Sequence, residues 1–176
     1  AEGLTFRYDA GPTVLTAPVL FQELFELLGE RLEDHVELMP VKPWYQMQFA
    51  DGSHLDYGGT TEQIQAEIAK FSQADAAAYP AYLEHSKKLF EKGYEELGTQ
   101  AFLGWRAMAK ALPAMARLRA DRSVYALTAR YFKHDHIRKA FSIQPLLVGG
   151  NPFDTTSIYG LIHFLERAHG VHFAMG

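Results

Sequence analysis

The sequence contains no cysteine, which excludes disulfides, thiolate metal ligands and a cysteine nucleophile and suits a reducing compartment such as the cytoplasm. No apolar run approaches the roughly 18 residues that a membrane span needs. Ala1-Glu2-Gly3-Leu4 has neither a basic n-region nor an apolar h-region, so no signal peptide is expected, and the missing initiator Met suggests a piece of a longer protein. Gly58-Gly59 and Gly149-Gly150 are lone pairs. Neither opens a Gly-x-Gly-x-x-Gly turn nor precedes Gly-Lys-Ser/Thr, so no dinucleotide fingerprint or P-loop is present. No Gly-x-Ser-x-Gly elbow marks a serine hydrolase. The eight histidines include no His-x-x-x-His pair. In the tightest cluster, His134-Asp135-His136, helical positions i and i+2 would point about 160° apart, so no metal site is expected.

What remains is an ordinary globular composition. The 176 residues are 48% hydrophobic, 13% aromatic and 22% charged, which suits one domain or two small ones and argues against extended disorder. The net charge of −4 conceals a split. Residues 1–103 carry 7 Lys/Arg against 17 Asp/Glu, whereas residues 104–140 carry 9 against Asp121 and Asp135. A basic segment of this kind points to an anionic partner or to a solvated face. Trp105, Met108, Ala109, Leu112 and Met115 fall near one helical face, with Arg106, Lys110 and Arg117 on another. That pattern suits ordinary packing or a membrane interface, with Pro113 dividing it in two. No nucleic-acid partner is expected, because the acidic remainder would repel phosphate.

Periodicity places strands first and helices after. Leu4 to Tyr8 alternates as a half-buried strand does, and Asp9-Ala10-Gly11-Pro12 ends it. Ala17 to Leu28 reads as a helix, with Pro18 in its first turn, an apolar stripe of Leu20, Leu24, Phe25 and Leu28, and Gly29 just past its end. Residues 36–39 and 45–49 read as strands, and Asp51-Gly52 turns the chain into a hairpin with residues 54–57. From Thr61 helices dominate. The first carries Ile64, Ile68 and Phe71. Ser72 and Asp75 resemble a capping box for the next, which carries Tyr79, Tyr82, Leu83, Ser86, Leu89, Phe90, Gly93 and Leu97. Pro80 inside that pattern predicts a kink or a start nearer Ala78. Shorter helices are expected near 104–111, 113–120, 122–133 and 135–143. A last helix, capped by Asp154 or Thr155, is striped by Ile158, Leu161, Ile162 and Leu165, and residues 171–173 read as a closing strand. The fold class is α+β: a strand-rich part (1–60), a helical, partly basic and candidate membrane-facing part (61–145), and a return to the first region (146–176).

Two segments carry a resemblance. They are Phe6-Arg7-Tyr8-Asp9-Ala10-Gly11-Pro12-Thr13-Val14-Leu15-Thr16, and Ala140-Phe141-Ser142 through Leu146-Leu147-Val148-Gly149-Gly150-Asn151-Pro152-Phe153 to Ser157-Ile158-Tyr159. Phe90 to Tyr94, Leu97-Gly98-Thr99 and Arg122 to Tyr125 lie between them in the same order. The set resembles the bacterial phytoene desaturases, FAD-dependent enzymes of carotenoid biosynthesis. The resemblance implies the middle of a larger FAD-linked oxidoreductase, incomplete at both ends, with the main FAD-binding motif outside this chain. It implies flavin contact at Gly11, Pro12 and Thr13, and an apolar channel for a carotenoid precursor lined by Phe141, Leu146, Leu147 and Phe153. It also implies a peripheral seat on a membrane in the cytoplasm. Taken alone, the chain is expected to bind FAD poorly and to be inactive. Arg106-Ala107-Met108-Ala109-Lys110 stands where the family carries an acid and an arginine, so no catalytic residue is assigned. A carotenoid isomerase or ketolase, and a non-enzymatic lipid- or partner-binding helical module, are the alternatives.

Overall fold

A computed structural model describes residues 14–96, 112–113 and 115–175. The strand expected at residues 4–8 and the helix expected at 104–111 lie outside the described residues. Contacts divide the chain into two units: Ala1–Val41 with His169–Gly176, and Lys42–Ala168.

The first, the sheet unit, holds β1 (Val14–Leu15), α1 (Pro18–Leu27), β2 (Glu37–Pro40) and β5 (His172–Met175). The closing strand lies centrally in an antiparallel sheet of order β1-β5-β2, pairing Leu15 with His172 and Met39 with Phe173. Pro18 opens α1, and Gly29 ends it in the left-handed region (φ 75°). There the Gly29 and Glu30 N–H groups bond back to Glu26 and Phe25, closing the orphan carbonyls of the last turn. The apolar stripe forms as expected, yet α1 buries no residue.

The second, the helical unit, begins with a hairpin, β3 (Tyr45–Gln48) and β4 (His54–Tyr57), in the register Tyr45 to Tyr57. Gly52 supplies the positive φ that the turn demands. Next come α2 (Thr61–Ala69), α3 (Gln73–Phe90), α4 (Val124–Tyr131), α5 (Asp135–Ala140) and α6 (Leu161–His169). The true capping box belongs to Thr60 and Gln63 on α2. Ser72 does cap α3, but Asp75 turns its carboxylate elsewhere. Buried, it accepts from the Lys133 and His134 N–H groups at 2.8–2.9 Å, just ahead of α5.

Pro80 neither starts nor ends α3, because its cost is met locally. The missing Pro80 N–H would have served the Ala76 carbonyl, and the Gln65 side-chain amide donates to that oxygen instead, at 3.0 Å. Within α3 the face expected to be inside is inside: Tyr79, Tyr82, Ser86, Leu89 and Phe90 are buried. Gly93 follows in a π-helical turn (Glu91–Glu96), where a Cβ would meet Ile158 at 2.9 Å. The cap ahead of α6 is Thr156, not Asp154 or Thr155; its hydroxyl accepts from the Ile158 N–H of a short 3-10 turn (Ser157–Gly160). The face of α6 is also shifted from the expected stripe. His163 and Glu166 are fully buried along with Leu165. The core of this unit joins Leu55, Tyr57, Ile64, Ile68, Tyr79, Tyr82, Leu89, Phe132, Ile137 and Phe141.

Candidate functional site

The helical unit builds a buried polar cluster from residues far apart in sequence. β3 brings Tyr45, β4 Tyr57, α3 Tyr79 and Tyr82, a 3-10 turn Gln144, and α6 His163 and Glu166. His163 engages hydroxyls at both ring nitrogens: Tyr57 at Nδ1, and Tyr79 at Nε2 at 3.1 Å. Gln144 Nε2 donates to the Tyr57 hydroxyl at 3.3 Å, and the Tyr45 hydroxyl donates to Glu166 Oε1 at 2.9 Å. Burial pushes the His163 pKa well below the usual imidazole range, so the ring is neutral. Burial likewise lifts the Tyr57 hydroxyl well above its ordinary value, with the Glu166 charge adding to it. The Glu166 carboxyl rises to about 7, mainly from burial and against the opposing bonds from Tyr45 and Tyr57. Phe141 closes the cluster, with ring centroids 5.3–5.7 Å from Tyr57, Tyr79, Tyr82 and His163. This clasp ties the hairpin to α3 and α6, and it leaves Gln144 Oε1 buried without a hydrogen-bond partner.

Of the predicted site residues, Phe141, Leu146, Leu147 and Phe153 are described. Gly11, Pro12 and Thr13 lie outside the described residues, as do Arg106, Ala107 and Lys110. Phe141 is wholly inside the aromatic core. Leu146, Leu147 and Phe153 are exposed, Phe153 with its ring 4.6 Å from Tyr125. The first two sit on the 3-10 turn Gln144–Val148, which ends at Gly149 in the left-handed region.

A cavity of about 720 Å³ opens beside β4 and α2, where Trp44, Asp56, Gly58, Gly59, Gln63 and Glu67 contribute to its walls. The Arg167 guanidinium lies 5.1 Å from the Trp44 ring centroid and donates to the Gly59 carbonyl. Asp56 and Glu67 set two carboxylates into a lining that is otherwise largely apolar, with Pro43, Trp44 and Ala66 beside them. The two glycines do not form an open cradle for a cofactor. A Cβ on Gly58 would strike Trp44 at 2.8 Å, and one on Gly59 would strike Gln63 at 2.4 Å. The chain's own side chains fill that space, so these turns do not fit a flavin. Among the described residues no group of three His, Asp or Glu side chains is placed to hold a metal. The geometry of the His134-Asp135-His136 cluster differs from the one expected. His134 precedes α5 instead of lying in it, so its ring comes within 5.2 Å of the His136 ring. His136 then stacks on Phe49 and bonds Asp51 at 2.9 Å.

Sequence comparison decides the kinship. The chain is 46% identical over 175 residues to a lycopene-forming phytoene desaturase of Pantoea ananas, covering 99% of this chain and 36% of that protein. By sequence it is a relative of the bacterial phytoene desaturases. A second lycopene-forming phytoene desaturase, from Pseudescherichia vulneris, is 46% identical over 97% of this chain and 35% of its own length. A neurosporene-forming phytoene desaturase of Cereibacter sphaeroides is 40% identical over 97% of this chain and 33% of its own length. The chain thus spans about a third of the length of these curated relatives. No protein-family model matches it. The resemblance read from the two segments near residues 6–16 and 140–159 therefore extends along nearly the whole chain. The α+β class with a dominant helical part stands as well. Among the described residues no helix is long and apolar enough to cross a membrane.

Proposed function

We propose that this chain is the central, substrate-domain portion of an FAD-dependent phytoene desaturase, an oxidoreductase that introduces C=C bonds into a carotenoid precursor. The observation that carries this reading is 46% identity sustained over 99% of the chain. The rival readings, an isomerase, a ketolase or a non-enzymatic module, are not favoured by relatives that are phytoene desaturases. Flavin contact is proposed for Gly11, Pro12 and Thr13. The described residues are assigned a mechanical part: a rigid aromatic core and an exposed apolar ledge. Leu146, Leu147 and Phe153 on that ledge meet an apolar substrate or lipid in this reading, while Phe141 belongs to the aromatic core. A peripheral seat on a membrane in the cytoplasm completes the proposal, supported by the exposed ledge and the basic composition of residues 104–140.

A segment exchange tests the enzymatic reading. This chain replaces the matching third of the Pantoea ananas protein, and the chimera is made in cells that accumulate phytoene. Coloured polyenes are the expected product. A chimera that accumulates, carries flavin and leaves phytoene unchanged overturns the reading. For the membrane seat, anionic liposomes are expected to retain the full chain, and charge reversal at Arg106, Lys110 and Arg117 to weaken that retention. Identical flotation of the reversed variant removes those three residues from the proposal.

A further inference from the structure

A second cavity, of about 250 Å³, is lined by Arg119, Arg122, Ala126, Leu127 and Arg130. Three guanidinium groups thus face one notch. Arg122 and Arg130 bracket Ala126 at four-residue steps along α4 and the residue before its Ser123 cap. Arg119 joins them from the preceding turn. Asp121 is the one carboxylate paired with them among the described residues, 3.1 Å from Arg122 Nε, and both side chains of that pair are well exposed. Arg130 lies 5.8 Å from the Tyr131 ring centroid, a cation–π contact that keeps its positive charge. Half-buried His85 feels this charge: its pKa is lowered first by burial, against the bond to the Leu118 carbonyl, and then by Arg130, Lys88 and Arg119.

The backbone that presents Arg119 is unusual. Arg119 has φ 54°, the one positive φ at a non-glycine among the described residues. The Arg119 and Ala120 N–H groups bond back to Ala116 and Met115, the same terminal pattern that Gly29 completes after α1. An arginine occupies a position where glycine would cost about 1 kcal/mol less. The turn is held in place from the far side. Ser157 Oγ donates to the Arg119 carbonyl at 2.9 Å, and the Thr156 hydroxyl donates to the Ala120 carbonyl. The segment that supplies these two residues also carries Phe153, packed on Tyr125 at the start of α4. The backbone ahead of α4 is therefore pinned, Arg119, Arg122 and Arg130 line a notch along that helix, and the exposed Phe153 lies at its first turn.

We infer that Arg119, Arg122 and Arg130 form a recognition site for a phosphate group, presented by the headgroup of an anionic phospholipid while Phe153 and the Leu146-Leu147 turn enter the apolar layer. The phosphate matches the charge, and guanidiniums take its oxygens in paired hydrogen bonds. The ledge supplies apolar area, and together they give the two signals that stable attachment needs. The inference rests on the peripheral-membrane reading above and locates it at three arginines of the basic segment 104–140 other than Arg106, Lys110 and Arg117.

Co-sedimentation with vesicles tests it, using the full chain and two matched variants. One is the notch variant Arg122→Gln/Arg130→Gln. The other is Arg31→Gln/Lys87→Gln, which removes the same charge at exposed places elsewhere. Vesicles are either pure phosphatidylcholine or a mixture with phosphatidylglycerol. The notch variant is expected to lose roughly tenfold in apparent affinity for the mixed vesicles, with the control variant unchanged and thermal unfolding the same for all three. Equal loss in both variants, or no loss in the notch variant, overturns the site. Inorganic phosphate distinguishes the source: if it stabilises the wild type through these arginines while vesicle binding ignores them, the lipid assignment falls. If the wild type binds neither kind of vesicle, the membrane reading itself fails, and the notch assignment with it.

Discussion

The two units of this chain use the same kind of amphipathic helix and end with opposite results. In the helical unit, α3 turns Tyr79, Tyr82, Ser86 and Leu89 into a core in which each is fully buried. In the sheet unit, α1 has an equally regular stripe, yet Leu20, Phe21, Leu24, Leu27 and Leu28 are all exposed. Periodicity is a property of the helix alone. Burial needs a partner surface: among the described residues α3 has one in the hairpin β3–β4, α2, α5 and α6, whereas α1 buries no residue. Substitutions in the helical unit should therefore be costly and specific, and those on α1 cheap.

The largest effect is expected at Phe141. Its ring meets Tyr57, Tyr79, Tyr82, Phe132 and His163, so Phe141→Ala should cost about 3–5 kcal/mol in denaturant unfolding. A loss below about 1 kcal/mol would break the contrast at once.

Glu166 offers a pH test of similar size. Its folded pKa, about 7, lies above the ordinary carboxyl value, so the native state holds a proton that the unfolded state releases. Its contribution is fully present below pH 4.5 and fades as pH rises through 7, by up to about 3 kcal/mol. Glu166→Gln keeps an acceptor for Tyr45 and removes the charge. The variant should show a flatter stability profile from pH 5 to 8 and exceed the wild type above pH 7. Parallel profiles would contradict the burial argument.

Asp75→Ala comes next. Its carboxylate receives two backbone N–H groups ahead of α5, and leaving them unpaired should cost about 2 kcal/mol. Gln65→Ala should cost about 1 kcal/mol, because the Ala76 carbonyl loses its donor. The same change in a Pro80→Ala background should cost less, since the backbone N–H restored at that position then serves the carbonyl. At the bottom of the scale, Leu24→Ser on α1 should shift stability by less than about 0.5 kcal/mol.

Local chemistry made much of the fold legible. Asp51-Gly52 placed the hairpin, and β4 matches the expected residues 54–57. Pro18 and Gly29 bracketed α1 to within a residue. Errors arose where the deciding partner is distant. The donor that lets α3 run through Pro80 comes from α2, eleven residues before the carbonyl it serves. His163 and Glu166 escaped the stripe on α6 because polar residues are not expected inside. What admits them is a set of tyrosine hydroxyls up to 121 residues away. A histidine and a glutamate three residues apart on the inner side of an apolar helix, in a chain with nine tyrosines, was the available signal. Of the channel residues, the apolar run at 146–153 was legible as a group, but its exposure was not. Gly11, Pro12 and Thr13, proposed for flavin contact, precede the described part of the chain.

The contrast between the units is tested most directly by native-state amide hydrogen exchange, resolved by residue. Protection close to the global unfolding free energy is predicted for α2, the middle of α3 and the strand Leu55–Tyr57, with α1 exchanging several orders of magnitude faster. Equal protection of α1 and α3 would contradict the account, because α1 would then have a covering surface that its exposed stripe denies.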